Sequence, residues 1–369
     1  MKITCDREKL AHAFQTVASV APARSPKEIL KNVKMEAGQE VVTLMCTDLE
    51  VGIRMDVSGV EVESPGTILL PIAHFGSILR ETSDEKLEII SDGQMTTVTG
   101  QRSEFQLPSE NPDEFPLVTA FEEHQYHEMP ARFFREIVRR TAFATDNESA
   151  RYALGGVLLE LEDTGITAVG TDGRRLAKQE GPATAVEGHA TGDVMTIVPT
   201  RAMQLLERAL ADNEENIKLA TSENDVRVQS GRATIYTRLV EGRYPRWRDV
   251  FPQTDCIARI EMTVGPFLAA VRQAAIVTSD ERRGVSFNFA EGKVAMAAHG
   301  AEQGEAHVEL PISYDAEPAG ISLDPRYVID FLKVLDPEKT FTLEYRGAES
   351  AAVCVTDDGY GYVIMPLAQ

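Results

Sequence analysis

A pattern of strand, proline and amphipathic helix occurs three times along this chain of 369 residues. The prolines are 128 and 126 residues apart, and they are Pro71, Pro199 and Pro325. Apolar residues stand four and seven places after each proline, on one face of a helix whose first turn tolerates proline. A second helical pattern recurs in the same order, around Phe14, Val138 and Val271. Repetition at a fixed interval predicts domains built on one plan.

The chain is therefore predicted to form three units of about 120 residues, each with two helices and many short strands. Polar, turn-rich stretches divide them into residues 1–123, 124–252 and 253–369. Alternating segments such as Met95-Thr96-Thr97-Val98-Thr99 indicate half-buried antiparallel strands, so the predicted fold class is α+β. Neighbouring sheets could join edge to edge into an arc, and two arcs could close into a ring. The alternative is a row of unrelated α+β domains.

Composition limits the possible classes of protein. With 43% hydrophobic and 26% charged residues, and no apolar run near the roughly 20 residues of a membrane span, the chain is predicted to be globular. The N-terminus lacks an apolar signal core, so a cytoplasmic location is expected. The four cysteines have no metal-ligand spacing and are expected to stay reduced.

Charge is distributed unevenly. The net charge of −21 alone argues against nucleic acid as a partner. The six helical patterns nevertheless hold twelve basic and five acidic residues, and one of them contains Arg132, Arg135, Arg139 and Arg140. If the helices share one surface, that surface would attract phosphates without reading sequence. The alternative is that arginine and lysine are simply good helix formers.

No motif for catalysis is found. Walker, GxGxxG, HExxH and CxxC patterns are absent, and His124 and His127 are predicted to lie in a solvated linker. Carboxylate pairs such as Asp357 and Asp358 are expected by chance among 58 acidic residues. We therefore predict no catalytic residue, no cofactor and no metal.

Short motifs follow one another in a distinctive order: Met1-Lys2-Ile3-Thr4, Thr47-Asp48-Leu49-Glu50, Thr171-Asp172-Gly173-Arg174-Arg175-Leu176-Ala177, Leu239-Val240-Glu241-Gly242-Arg243-Tyr244-Pro245 and Tyr362-Val363-Ile364-Met365-Pro366-Leu367. From end to end, this ordered set resembles the bacterial β sliding clamp, the processivity subunit of DNA polymerase III. The resemblance implies the DNA clamp fold and a non-enzymatic head-to-tail homodimer. Its ring would surround double-stranded DNA, with helices facing the hole.

The resemblance also implies a pocket for a short motif of partner proteins. These partners would be the DNA polymerase III catalytic subunit, the clamp loader, other polymerases and repair proteins. By position, the pocket would contain Arg151, Leu154, Thr171, Gly173, Arg174, Arg175, Leu176, Pro245, Val250, Tyr327, Val363, Met365, Pro366 and Leu367. Leucine, valine, methionine and proline suit aromatic and leucine anchors, and rim arginines would orient the peptide.

Two further sets of residues follow from the resemblance by position. The phosphate contacts would be Arg24, Arg80, Tyr152 and Arg201, and the dimer seam would join Phe105 and Leu107 to Ile276 and Val277. The chain departs from the family pattern at Ala153, Asp249 and Ala368-Gln369, where a second aromatic, an arginine and an Arg-Leu ending are common. Two other functions remain open: an acidic, monomeric scaffold or DNA mimic, and a hydrolase built on a carboxylate pair.

Overall fold

The computed structural model describes residues 1–22, 24–146, 148, 153–191, 194–210, 215–251, 255–300 and 304–367. The chain forms two compact units. The first unit comprises Met1–Arg135, Thr184–Val194 and Arg201–Leu239, and the second comprises Glu136–Ala183, Met195–Thr200 and Val240–Gln369. The middle third of the sequence is therefore divided between the two units.

Six α-helices lie in the described part of the chain, where the sequence patterns predict them: α1 Arg7–Ala18, α2 Ile72–Glu81, α3 Ala131–Thr141, α4 Thr200–Ala209, α5 Val264–Ala274 and α6 Pro325–Lys333. The repeat prolines mark helix starts, because Pro71 and Pro199 immediately precede α2 and α4, and Pro325 is the first residue of α6. The side chain of Asp324 caps α6 by accepting the backbone N–H of Arg326 at 3.0 Å.

The first unit contains two antiparallel sheets. A five-stranded sheet has the order β5 (Val60–Ser64), β1 (Lys2–Asp6), β7 (Lys86–Ser91), β8 (Met95–Thr99) and β9 (Glu104–Pro108). A nine-stranded sheet has the order β14 (Thr184–Val186), β10 (Tyr126–Pro130), β16 (Asn216–Thr221), β17 (Asp225–Ser230), β18 (Ala233–Arg238), β4 (Val51–Val57), β3 (Val42–Thr47), β2 (Asn32–Ala37) and β6 (Gly66–Pro71). Strand β18 pairs with β4, where Ile235 lies opposite Ile53. Strands of the first and second repeats thus form one sheet.

The second unit also contains two antiparallel sheets. An eight-stranded sheet has the order β15 (Thr196–Pro199), β11 (Gly156–Glu162), β12 (Gly165–Thr171), β13 (Arg175–Pro182), β26 (Tyr360–Ile364), β25 (Ala352–Val355), β24 (Thr340–Tyr345) and β19 (Ala258–Thr263). A four-stranded sheet has the order β22 (Glu305–Pro311), β21 (Lys293–His299), β20 (Val285–Ala290) and β23 (Ala319–Leu323). Strand β13 pairs with β26, and this joins the second and third repeats.

Aromatic side chains connect helices to sheet in the core of the second unit. The ring of Phe341 lies 5.7 Å from Phe267 on α5 and 5.3 Å from Phe331 on α6. Phe331 in turn stacks on Tyr360 and Tyr362 of β26, at 5.6 and 5.1 Å between ring centroids. All five rings are buried, so both helices are fixed to the strand that carries the C-terminal end of the chain.

The sequence predicts that His124 and His127 are solvated; His124 is exposed, but the prediction is wrong for His127. His127 lies on β10 with no exposed surface, and its Nδ1 is 2.6 Å from Nδ1 of the buried His189. The backbone N–H of Thr221 donates to Nε2 of His189 at 3.2 Å, so that nitrogen carries no proton. With Nε2 as an acceptor, His189 is the donor between the two rings, from its Nδ1 to Nδ1 of His127. The sequence spacing hides this pair because His189 comes 62 residues later.

Acid is expected to destabilise the first unit through this histidine pair. Desolvation, followed by the neighbouring His127, lowers the pKa of His189, so the unfolded chain binds a proton at a higher pH than the folded chain. Stability is therefore complete above the unfolded pKa of about 6.5 and falls as pH drops through it. Urea unfolding at about pH 7.5 and about pH 5.5 should show this loss, and His189→Gln should reduce the difference. An equal pH dependence in the variant would contradict the assignment.

The structure describes all four cysteines as free thiols, consistent with their expected reduced state. Burial raises the pKa of Cys5, Cys46 and Cys354 to about 12, so these thiols stay protonated. Within the described ranges, no helix has the length and apolar character needed to cross a membrane. The same residues include no group of three or more potential metal ligands.

Candidate functional site

The turn between β12 and β13 is held rigid by its own hydrogen bonds. Oδ1 of Asp172 accepts the backbone N–H groups of Arg174 and Arg175 at 2.9 and 3.0 Å. The hydroxyl of Thr171 donates to the carbonyl of Arg175 at 2.6 Å and accepts the N–H of Gly173 at 3.1 Å. Gly173 has φ = 84°, a conformation that glycine adopts without strain. The turn thus presents its backbone and side chains in one fixed arrangement.

The two arginines of this turn have different environments. Arg174 is exposed, whereas the side chain of Arg175 is only 10% exposed. The guanidinium of Arg175 donates to Asp172 at 3.0 Å, to Asp330 at 2.7 Å and to the carbonyl of Phe143 at 2.9 Å. Burial opposes the charge of this guanidinium, but Tyr362 and the two carboxylates around it raise the pKa of Arg175 overall. Arg175 therefore supports the turn from inside the protein.

The C-terminal end of the chain runs beside this turn. In the pairing of β26 with β13, Val363 lies opposite Leu176, and both side chains are buried. After β26 ends, the N–H of Met365 still donates to the carbonyl of Arg174 at 2.9 Å. The side chain of Met365 is 47% exposed, a high value for a large apolar residue. The turn and the tail together form two adjoining walls.

Residues 243–250 form a third wall. The buried Tyr244 donates its hydroxyl to the carbonyl of Val169 at 2.7 Å, and this anchors the segment to β12. Glu160 on β11 accepts two hydrogen bonds from Arg248, at 2.9 and 2.8 Å, and one from the indole N–H of Trp247 at 3.3 Å. The Arg248 guanidinium also lies over the Trp247 ring at 4.3 Å. These contacts fix the short 3₁₀ helix Trp247–Asp249.

The three walls enclose a groove of about 720 Å³, the size of a site for a small ligand or a peptide segment. Its lining residues, which we call the groove residues, are Leu154, Thr171, Gly173, Arg174, Arg175, Leu176, Met195, Arg243, Tyr244, Pro245, Arg246, Val250, Val363 and Met365. The floor is mostly apolar, and no aspartate or glutamate of the described chain lines it. Such a groove can bind apolar side chains of an extended segment.

Ten of the fourteen residues predicted for the pocket line this groove. Tyr327 does not, because its ring packs against the guanidinium of Arg175 at 4.6 Å. Pro366 and Leu367 also lie outside the lining, and the N–H of Leu367 donates instead to the carbonyl of Ser322 at 2.9 Å. Arg151 falls outside the described residues.

Sequence reasoning missed four of the groove residues, namely Met195, Arg243, Tyr244 and Arg246. A signal for three of them was present, since Arg243 and Tyr244 belong to the motif that ends at Pro245 and Arg246 follows it directly. Met195 begins a segment that reads as a buried strand, but its side chain is 51% exposed. Nothing in its local sequence distinguishes it from the apolar residues that follow.

Comparison with known proteins matches nearly the whole chain to one family. Profiles of the DNA polymerase III beta subunit match its N-terminal domain to residues 1–119, its central domain to 128–246 and its C-terminal domain to 248–368. The chain belongs to the DNA polymerase III β subunit family. The three α+β domains predicted from the repeats, and the clamp fold implied by the resemblance, are thereby confirmed.

Similar proteins align with the full length of this chain. The beta sliding clamp of Chlamydia pneumoniae is 27% identical, and the alignment covers 100% of this chain and 99% of the relative. The beta sliding clamp of Pseudomonas putida is 29% identical, with full coverage of both chains. Among solved structures, the Bacillus subtilis sliding clamp superposes with a TM-score of 0.92 at 23% identity, covering 100% of this chain and 99% of that chain. The Pseudomonas aeruginosa clamp bound to griselimycin has a TM-score of 0.92 at 26% identity, with full coverage of both chains.

The residues predicted to contact DNA in this β clamp differ in their surroundings. Arg24 and Arg80 are exposed, and Arg80 lies on the last turn of α2. Arg201 is 54% exposed but is paired with Asp48 at 2.6 Å, and it donates to the carbonyl of Val20 at 3.1 Å. Tyr152 falls outside the described residues. Arg80 also has an acidic neighbour, since its Nε lies 3.4 Å from Oε1 of Glu81, but both of those side chains are exposed, whereas the Asp48 partner of Arg201 is only 6% exposed.

The residues predicted for the dimer seam lie in both units. Phe105 and Leu107 belong to β9, the edge strand of the five-stranded sheet, with Leu107 8% exposed and Phe105 half-buried. Ile276 and Val277 belong to the 3₁₀ helix Ala275–Val277, where Ile276 is 77% exposed. An edge strand and an exposed isoleucine are both features that protein interfaces cover.

Proposed function

We propose that two copies of this chain close into a ring around double-stranded DNA, slide along it and hold partner proteins through the groove. The chain itself would carry out no reaction. The observation that supports this proposal most strongly is the match of all three repeats to domains of one clamp family. The partners are proposed to be the DNA polymerase III catalytic subunit, a clamp loader, and other polymerases and repair proteins with a clamp-binding motif.

The proposed ring closes through edge strands. Strand β9 ends the five-stranded sheet and β22 ends the four-stranded sheet, so each has one row of unpaired backbone groups. Apolar contact of Phe105 and Leu107 with Ile276 and Val277 of the second copy would accompany this pairing. Two such seams related by a twofold axis would leave no sheet edge open at the junction.

Contact with DNA is proposed to be weak and directed at phosphates. Arg24 and Arg80 are exposed cations that can meet the backbone without reading bases. With a net charge of −21, the chain as a whole repels DNA, so encirclement rather than affinity would keep it bound. This combination permits sliding, because no single contact is strong enough to stop movement.

Retention on circular DNA tests this proposal directly. After loading by a clamp loader, the protein should stay on a nicked circular plasmid and leave it when the plasmid is linearised. Light scattering should give twice 40.6 kDa. A matched sample without loader controls for simple adsorption. A monomeric mass, with no retention on the circle, would instead support the acidic scaffold.

A further inference from the structure

Three arginines border the groove without a carboxylate partner. Arg174, Arg243 and Arg246 are exposed, and among the described residues none of them takes part in an ion pair. Their neighbours differ in this respect, because Arg175 pairs with Asp330 and Arg248 pairs with Glu160. Within the described residues, carboxylates therefore pair with the arginines that support the groove walls and not with those on its rim.

This rim is unusual for so acidic a chain. Aspartate and glutamate number 58 against 37 lysines and arginines, yet the described groove lining includes four arginines and no acid. A concave site of one charge sign concentrates its field and attracts ligands of the opposite sign. Three of these four arginines, Arg174, Arg243 and Arg246, thus place positive charge at the groove of a chain that is acidic overall.

The three cations occupy two separate parts of the rim. Arg174 lies beside the tail, since its carbonyl accepts the N–H of Met365 at 2.9 Å. Arg243 lies beside Leu154, since its carbonyl accepts the N–H of Ala153 at 3.2 Å, and Arg246 follows on the same segment. Apolar groove residues such as Leu176 lie between these walls. A bound segment would meet positive charge at more than one point along its length.

We propose that the groove selects peptide segments that carry aspartate or glutamate next to their apolar anchors, and that Arg174, Arg243 and Arg246 determine this preference. The inference rests on the proposed role of the groove as a peptide site and specifies the chemistry of its partner. DNA phosphates would also attract arginines, but duplex DNA cannot fill a groove with an apolar floor. The location of these arginines therefore favours a peptide.

The test compares two labelled peptides by fluorescence anisotropy. Both carry leucine and phenylalanine anchors; one has flanking aspartates and the other has asparagines in their place. The aspartate peptide should bind about ten-fold more tightly, since exposed ion pairs contribute little singly and several act together. This advantage should shrink as NaCl is raised, because salt screens exposed charges.

Charge-reversed variants identify the residues responsible. Arg243→Glu with Arg246→Glu should reduce the advantage of the aspartate peptide over the asparagine peptide from about ten-fold to about two-fold, with Arg174 responsible for the remainder. Arg232→Glu is the matched control, because Arg232 is an exposed arginine in the turn between β17 and β18, outside the groove. Equal binding of both peptides by the unmodified protein, at every salt concentration, would overturn the inference while leaving the peptide site intact.

Two other results of these experiments would also overturn the inference, each for a different reason. If neither peptide binds, the proposed function of the groove fails, and the inference fails with it. If the double variant keeps the aspartate preference but loses retention on circular DNA, the arginines serve phosphates and the inference is overturned. In the expected result, the double variant has a reduced preference for the aspartate peptide and an unchanged retention on circular DNA. This result assigns the arginines to peptide binding and not to DNA.

Discussion

Replacement of Arg175 by alanine is expected to lower the free energy of unfolding by about 3 kcal/mol, although this arginine belongs to a surface turn. The substitution leaves the Asp172 carboxylate without its guanidinium partner and Asp330 with only Lys333, at 3.9 Å, and the carbonyl of Phe143 loses a donor. It also removes the guanidinium that lies over the Tyr327 ring. Removal of one member of a largely buried charge cluster is among the most destabilising single changes.

Arg174→Ala provides the matched control for this prediction. The neighbouring arginine is exposed and unpaired, so its loss should change the free energy of unfolding by less than about 0.5 kcal/mol. Urea unfolding of the two variants, followed by fluorescence of the single tryptophan, Trp247, measures the difference. Arg175→Lys should restore only part of the stability, because an ammonium cannot form the same fork of hydrogen bonds. Equal midpoints for the two alanine variants would show that the buried contacts are not stabilising.

Removal of residues 365–369 is expected to weaken peptide binding by at least about ten-fold while leaving the mass in solution unchanged. Met365 supplies an exposed apolar wall of the groove, and its N–H holds the tail against the turn. Strand β26 ends at Ile364, so this truncation leaves every pairing with β13 and β25 in place. A deletion that began at Val363 would instead remove buried strand residues and confuse loss of binding with loss of folding.

Anisotropy with the aspartate peptide measures the effect of the truncation, and light scattering measures the mass. Leu117→Ala is the control, because Leu117 is 89% exposed and lies outside the groove lining. It should show that loss of an exposed apolar side chain elsewhere does not change peptide affinity. Unchanged affinity after the truncation would mean that the tail is not a wall of the peptide site.

The helices could be predicted from the sequence because their signals are local. A proline and apolar residues at helical spacing mark the start of each second helix, and α2, α4 and α6 begin within one residue of Pro71, Pro199 and Pro325. The composition of the groove could be predicted only in part, because it is assembled from segments distant in sequence. Met195 reaches the site because the strand that follows it, β15, pairs with β11, and Arg243 because its carbonyl accepts the N–H of Ala153; no local pattern specifies either contact.

The number of charged residues on a helix can be read from the sequence, but the structure is needed to tell which of them reach solvent. Arg140 contributes to the basic character of α3, but its side chain is only 7% exposed, and it pairs with Glu136 and Asp358 at 2.6 and 2.8 Å. This arginine stabilises the second unit and is not available to a phosphate. A sequence shows how many cations a helix carries, whereas packing decides which of them reach solvent.

The pairing of β13 with β26 has a consequence for the synthesis of the protein. Leu176 on β13 pairs with Val363 on β26, which comes much later in the sequence. Strand β13 therefore leaves the ribosome long before its neighbour in the sheet has been synthesised. Throughout that interval the edge of β13 is open and the wall formed by Met365 is missing. The groove therefore becomes complete only after Met365 has been synthesised, long after its other walls.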